Sequence, residues 1–211
     1  MNTKLIILDR DGTINRDSDD YIKSPDEWLP LPGALDAMAR LCQAGWHLVI
    51  ASNQSGLGRG LFDLSTLNQM HDKMNKLLAV QGGRVDAIFF CPHLPQDQCA
   101  CRKPLPGLFE HIGERFGVPL SQVHAVGDSL RDAQAAALVG CQTHLVCTGK
   151  SEGWQDNQPP EQFPAHTRVH AQKRILADMR VAAESGIGGK HGEVTRRRIV
   201  SERGVIVEQD L

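Results

Sequence analysis

Asp9-Arg10-Asp11-Gly12-Thr13 places two carboxylates two residues apart in a segment that a glycine lets turn tightly. That spacing suits a divalent cation combined with acid and base work: hard cations take oxygen ligands, and a displayed carboxylate accepts or returns a proton. A simple Asx-type turn would use the same residues, so the pair gains meaning only from its company. Ser52-Asn53-Gln54-Ser55-Gly56 gathers hydroxyl, amide and backbone N–H donors, which could receive phosphoryl oxygens or merely cap a helix. Arg102-Lys103-Pro104 offers cations able to neutralise a transferring phosphoryl group. Gly127-Asp128-Ser129, with Asp132 following, offers a distant carboxylate able to complete a Mg²⁺ site.

A different chemistry is written between residues 91 and 101. Cys91-Pro92-His93 and Cys99-Ala100-Cys101 bring three thiols and an imidazole into one short stretch. Such a set fits a closed tetrahedral zinc site with no position left for catalysis; free thiols beside a surface histidine are the alternative. Cys42, Cys141 and Cys147 fall in helical or strand patterns and read as buried small hydrophobes.

The elements that must position these residues follow from periodicity. Leu5–Leu8 is a short apolar run ending at the acidic turn, as expected of a strand buried on both faces. Helical spacing of Leu35, Met38, Ala39 and Leu41 after Pro32-Gly33, closed by Gly45, precedes a strand over Trp46–Ala51. Helices are then expected over Leu64–Val80, Gly107–Phe116 and Arg131–Val139, and strands over Asp86–Phe90, Val123–Val126 and Thr143–Cys147. Strands alternating with helices imply a doubly wound, mostly parallel α/β sheet. Sites in such sheets lie at the carboxyl ends of the strands. The acidic pair, the Ser/Asn run, the lysine and the second acidic motif follow successive strands in that order.

The whole chain has 211 residues, 23 Lys+Arg against 25 Asp+Glu, and a formal net charge of −2. A near-neutral balance argues against a dedicated nucleic-acid or membrane-surface protein. No apolar run approaches the roughly 18 residues of a membrane span, and no signal-like segment precedes Asp9, so a cytoplasmic protein is expected. Residues 171–211 contain no Phe, Trp or Tyr and carry net +2, whereas residues 1–170 carry −4. The expectation is one domain over 1–170 and a poorly ordered tail over 171–211, with one marginal helix at Gln172–Ala183. Arg196-Arg197-Arg198 leaves a zinc-containing nucleic-acid-binding module as a reading from another class, which the acidic balance of the main domain opposes.

With its motifs in order, the chain resembles the haloacid dehalogenase-like phosphohydrolases over roughly residues 1–150, through Asp9-x-Asp11-Gly12-Thr13, Ser52-Asn53, Lys103 and Gly127-Asp128. The resemblance implies a Rossmann-like core, with Asp9 as a nucleophile that becomes an aspartyl-phosphate and Asp11 as general acid and base. It implies Mg²⁺ held by the Asp9 carboxylate, the Asp11 backbone carbonyl and Asp128, with Ser52 and Lys103 on the phosphoryl group. The zinc run continuing into Arg102-Lys103-Pro104 is similar to the branch of heptose bisphosphate and histidinol-phosphate phosphatases. Asn53-Gln54-Ser55-Gly56-Leu57-Gly58-Arg59-Gly60 favours the heptose group, because the histidinol group usually carries Asp at the position of Ser55 and no Arg-Gly.

That branch implies a phosphorylated sugar as substrate, in a pathway supplying nucleotide-activated heptose for envelope polysaccharide, and a monomer. Arg102, with Arg59 second, is the candidate for a phosphate remote from the reaction centre, since a guanidinium fork binds phosphate bidentately. Asn53, Gln54 and Ser55 join the substrate-binding set. The sugar-facing loop corresponds to Asp17, Ser18, Asp19 and Asp20, which depart from the family's Asp-x-Gly-Tyr by an additional acidic residue. Ser52 stands where Thr is usual and keeps the hydroxyl. Neither Ile14–Leu31 nor Gly83–Cys101 has room for a separate cap domain, so the zinc loop is expected to wall an open site and stiffen Arg102 and Lys103. Residues 171–211 do not resemble the usual ending of this group.

Overall fold

The computed structural model describes residues 3–154, 162–170, 199–200 and 206–208. Its elements are β1 (Leu5–Leu8), α1 (Ala34–Gln43), β2 (His47–Asn53), α2 (Ser55–Gly58), α3 (Leu64–Val80), β3 (Ala87–Cys91), α4 (Gly107–Phe116), β4 (His124–Gly127), α5 (Leu130–Leu138), β5 (Gln142–Val146), β6 (Arg168–His170), β7 (Ile199–Val200) and β8 (Ile206–Glu208). They form one sheet in the order β6-β5-β4-β1-β2-β3-β8-β7. The first six strands in that order run parallel, and β8 and β7 add an antiparallel pair beside β3.

The sheet is apolar through its thickness because helices cover both faces. Along β1, Ile6 and Leu8 point to one core with Trp46, Leu48, Ile50, Met38 of α1 and Leu67, Met70 and Met74 of α3. Leu5 and Ile7 point to the other, with Val49, Phe89, Leu108, Phe109 and Ile112 of α4, and Ala135 and Ala136 of α5. Alternation along each strand thus feeds two cores, which is why the strands read as unbroken apolar runs.

Chain order reverses across the sheet between β1 and β4: β2 and β3 build outward on one side, β4, β5 and β6 on the other. The crevice beyond the carboxyl ends of β1 and β4 is therefore the topological switch point, where open α/β sheets bind ligands. Asp9 follows β1 and Asp128 follows β4 directly.

Strand β1 and helices α3 and α4 match the expected bounds, and the other expected elements shift by one or two residues at their ends. Several things differ. The single turn α2, built from two glycines, a serine and a leucine, carries no helical periodicity to read. Strand β6, three residues long, falls below what alternation can signal. Strands β7 and β8 lie inside 171–211, so that stretch is not wholly without elements; the helix expected at 172–183 lies outside the described residues. Cys42 is half-buried rather than buried, with its thiol donating to the Arg84 carbonyl at 3.2 Å. Among the described residues no helix is long and apolar enough to cross a membrane.

Candidate active site

Asp9 leaves β1 with its N–H on the Val126 carbonyl of β4 at 2.9 Å, so backbone pairing aims its side chain into the switch-point crevice. Lys103 arrives from the loop after β3. Its ammonium is buried and donates to Asp9 Oδ1 at 2.8 Å, to the Ala51 carbonyl at 2.7 Å and to Asp132 Oδ1 at 2.5 Å. Burial disfavours its charge, yet Asp132 and Asp9 outweigh that and hold its pKa above the ordinary lysine value. Asp132, which the sequence places beside the fourth motif without a link to Lys103, anchors this lysine, and its other oxygen caps α5 at Ser129 N, 3.0 Å away. An Asp three residues beyond a Ser at a helix start is a capping signature that conceals such a second role.

Asp128 is buried, and Lys150 N donates to its Oδ2 at 2.6 Å. Two glycines make room for it. A β-carbon on Gly12 (φ +82°) or on Gly149 (φ +50°) would stand 2.2 Å from Asp128 Oδ2, so the turn after β1 and the loop after β5 admit no side chain at either point. Asp9, Asp128 and Asp132 present carboxylate oxygens within 4.8 Å of one another. Burial, together with mutual repulsion, pushes Asp9 up to about 7 against the pull of Lys103, and Asp128 up to about 8. Carboxylates crowded this way gain from a dication between them. Asp132 already serves Lys103 and Ser129, which leaves Asp9 and Asp128 as the carboxylates fitted to Mg²⁺.

Asp11 is treated differently. Burial would raise its pKa, but the Arg10 guanidinium, Asn15 and Gln54 all donate to the carboxylate and bring it below the usual range. Gln54 Nε2 reaches both Asp11 Oδ2 and Ser52 Oγ at 2.8 Å, tying the acidic turn to the end of β2.

The cleft above these groups has a volume of about 200 Å³ and is lined by Asp9, Asp11, Asp17, Ser18, Asp19, Ser52, Asn53, Gln54, Ser55, Arg102, Lys103 and Asp128 among the expected residues. Ser129 and Asp132 of the fourth motif line it too, and Tyr21, Arg131 and Lys150 also do and were not expected there. Lys150 donates to Asp17 at 2.9 Å and Asp19 at 2.5 Å and so joins the loop after β5 to the loop after β1. Arg59 and Asp20 do not line the cleft. Arg59 sits 5.8 Å over the ring of Tyr21, which does, so its contribution is indirect. Asn53 spends both amide atoms on the Lys103 backbone, donating to its carbonyl at 2.9 Å and accepting its N–H at 3.1 Å. It therefore positions the lysine, and its second amide N–H stays available at the cleft.

At the end of β3 the four expected soft ligands converge. Cys91 Sγ lies 3.6 Å from His93 Nδ1 and from Cys99 Sγ, and Cys101 Sγ lies 3.3 Å from His93 Nδ1 and 3.5 Å from Cys99 Sγ. A tetrahedron with metal–sulfur bonds of about 2.3 Å has edges of roughly 3.5–3.8 Å, so the set is sized for one metal ion. The hydrogen bond from Cys101 draws the Cys91 thiol well below its ordinary pKa, supplying a thiolate. Arg102 Nη1 donates to the His93 carbonyl at 3.2 Å and is thereby braced against this loop at the cleft wall.

The haloacid dehalogenase-like hydrolase profile matches residues 14–140. The chain is 65% identical over 146 residues to a D-glycero-beta-D-manno-heptose-1,7-bisphosphate 7-phosphatase of Bordetella bronchiseptica, covering 69% of this chain and 82% of that protein. It is 55% identical over 150 residues to the Pseudomonas aeruginosa protein of the same name, covering 71% and 84%. Among solved structures, D,D-heptose 1,7-bisphosphate phosphatase from B. bronchiseptica complexed with magnesium and phosphate superposes with a TM-score of 0.79 at 53% identity, over 87% of this chain and all of that one. A putative HAD-like phosphatase from Mesorhizobium loti gives 0.76 at 30% identity over 90% of both chains. With profile, relatives and sheet topology in agreement, this chain belongs to the haloacid dehalogenase-like hydrolases.

Proposed function

We propose that this protein is a Mg²⁺-dependent phosphatase that removes the C7 phosphate of D-glycero-D-manno-heptose 1,7-bisphosphate, a step toward nucleotide-activated heptose. The observation that carries the reading is the switch-point cleft, in which Asp9, held by Lys103, stands beside the separately held Asp11 and the buried Asp128. Relatives at 55–65% identity bearing that activity in their names supply the substrate.

Asp9 is the nucleophile. Its carboxylate oxygen attacks phosphorus while the bond from phosphorus to the C7 oxygen breaks, leaving an aspartyl-phosphate. Asp11, whose proton affinity the negative charge of the incoming phosphate raises, gives the departing oxygen a proton, then takes one from the water that releases phosphate and restores Asp9. Lys103 and the Ser52 hydroxyl donate to the phosphoryl oxygens. Mg²⁺, when bound by Asp9, Asp128 and the Asp11 carbonyl, offsets the repulsion between a phosphate and these carboxylates. Asp17, Ser18 and Asp19 face the sugar, and Arg102 receives the C1 phosphate from the zinc-loop wall.

We also propose zinc in the Cys91, His93, Cys99 and Cys101 set, where it fixes the backbone carbonyl that braces Arg102. A monomer is sufficient for this chemistry, because every group named comes from one chain.

Phosphate release with Mg²⁺ from both C1 anomers of the bisphosphate, and from histidinol phosphate, tests the reading. Turnover of the heptose substrate that disappears in Asp9→Asn is expected. Preferential turnover of histidinol phosphate, or turnover that survives Asp9→Asn, overturns it.

A further inference from the structure

We propose that Arg10 is the positioning residue for the general acid: a buried guanidinium fork fixes the direction of the Asp11 carboxylate relative to the ester oxygen it protonates. The inference rests on the proposed phosphatase reading and assigns work to a residue that the motif leaves as a variable letter.

Arg10 has no solvent exposure, which is uncommon for a guanidinium and demands compensation. Its compensation is concentrated on Asp11. Nε donates to Oδ1 at 3.1 Å, and Nη2 donates to Oδ1 at 3.0 Å and Oδ2 at 2.8 Å. Nη2 also reaches Gln54 Oε1 at 3.1 Å, and Nη1 lies 3.5 Å from His71 Nε2. His71 is itself buried on α3 and packs at a tilt on Phe90 of β3. The fork is thus seated between helix, sheet and acidic turn, and cannot swing without losing several partners together.

A carboxylate on a turn would otherwise sample its rotamers. Asp11 instead receives donors from Arg10, Asn15 and Gln54, and Gln54 spans from it to Ser52 Oγ. One network therefore sets the acid at a fixed offset from the hydroxyl assigned to the phosphoryl group. General acid catalysis requires such an offset, because the proton must be delivered across hydrogen-bond distance as the ester bond breaks. Lysine in place of Arg10 would keep the charge but not the planar fork.

The test exploits leaving groups. The alcohol at C7 departs with a proton from Asp11, whereas p-nitrophenolate departs without one. The ratio kcat/KM reports only the steps through loss of the leaving group, so the later hydrolysis does not mask the difference. Arg10→Met is expected to lower kcat/KM for the heptose bisphosphate by about 100-fold, and Arg10→Lys by about 10-fold, while p-nitrophenyl phosphate loses less than about threefold. Arg10→Lys, nearly isosteric and still charged, carries the test if Arg10→Met does not fold. In an Asp11→Asn background, Arg10→Lys is expected to add little further loss on the sugar phosphate, since both changes disable one unit. Equal losses on both substrates, or additive losses in the double variant, overturn the inference in favour of a purely structural arginine. A wild-type protein inactive on the heptose substrate refutes the underlying reading instead.

Discussion

Lys103 shows how one side chain is made fit for its task by partners distant in sequence. Its ammonium is shared between Asp9, the proposed nucleophile, and Asp132, which has no part in the proposed chemistry and acts as the anchor. Removing the anchor leaves a buried cation with one carboxylate and frees it to collapse onto Asp9. Asp132→Ala is therefore expected to cost roughly 3 kcal/mol of stability, read by urea unfolding, and at least about tenfold in kcat. Unchanged kcat in a folded variant would remove Asp132 from the site. Gly12 sets the opposite constraint, since what matters there is absence. Gly12→Ala puts a methyl 2.2 Å from Asp128 Oδ2. Calorimetric titration is expected to show Mg²⁺ affinity weakened by about tenfold or more, with activity lost in parallel.

At the scale of elements, the sheet carries two devices that the catalytic motifs do not mention. The proposed zinc loop joins the end of β3 to Arg102 and Lys103, so emptying its Cys/His set should disturb recognition before chemistry. Chelation is expected to raise KM for the bisphosphate more than it lowers kcat, and to lower the thermal midpoint. The second device crosses β4, β5 and β6: His124 Nδ1 lies 2.9 Å from His144 Nε2, and His144 Nδ1 lies 2.8 Å from His170 Nε2. Trp46 packs its edge on His124, and Arg168 adds positive charge on β6. Burial, then His170, His124 and Arg168, push His144 down to about 3, and burial with Arg168 lowers His124 as well. In the folded protein His144 and His124 thus favour the neutral form, while in the unfolded chain they take up protons near pH 6.5. Their contribution to stability is complete above about pH 6.5 and declines as pH falls from there toward 3. The thermal midpoint should drop between pH 7 and pH 5 in the wild type and drop less in His144→Leu. Identical slopes would show that the ladder does not titrate with folding.

The whole molecule poses a question of edges. β3 would end the parallel sheet were it not for β8, which pairs antiparallel with Ile88, Phe89 and Phe90 and is followed outward by β7. An open edge beside a buried apolar strand invites pairing with another chain. If 1–170 is a domain in its own right, a chain shortened after residue 172 keeps its phosphatase activity within about threefold but associates as concentration rises, as light scattering would show. Loss of folding in the shortened chain would instead make residues 199–208 part of the domain.

What the sequence determined by itself is whatever local chemistry writes in consecutive residues. Four motifs at strand ends, a thiol and imidazole set, and apolar runs with the right period were enough to place the sheet, the cleft and most of its lining. Tertiary structure decided the rest, because the rest depends on distances between residues far apart in the chain. Asp132 resembles an ordinary helix cap until Lys103 folds onto it, 29 positions away. Arg59 looks like a phosphate ligand in the sequence, and the fold sets it over Tyr21, outside the cleft lining. Asn53 reads only as a donor to a ligand until the Lys103 backbone is found on its amide. Arg10 carries no local signal at all, since a guanidinium is ordinarily a surface group. Only the closing of α3 and the turn after β2 around it turns a variable letter into a buried fork on Asp11.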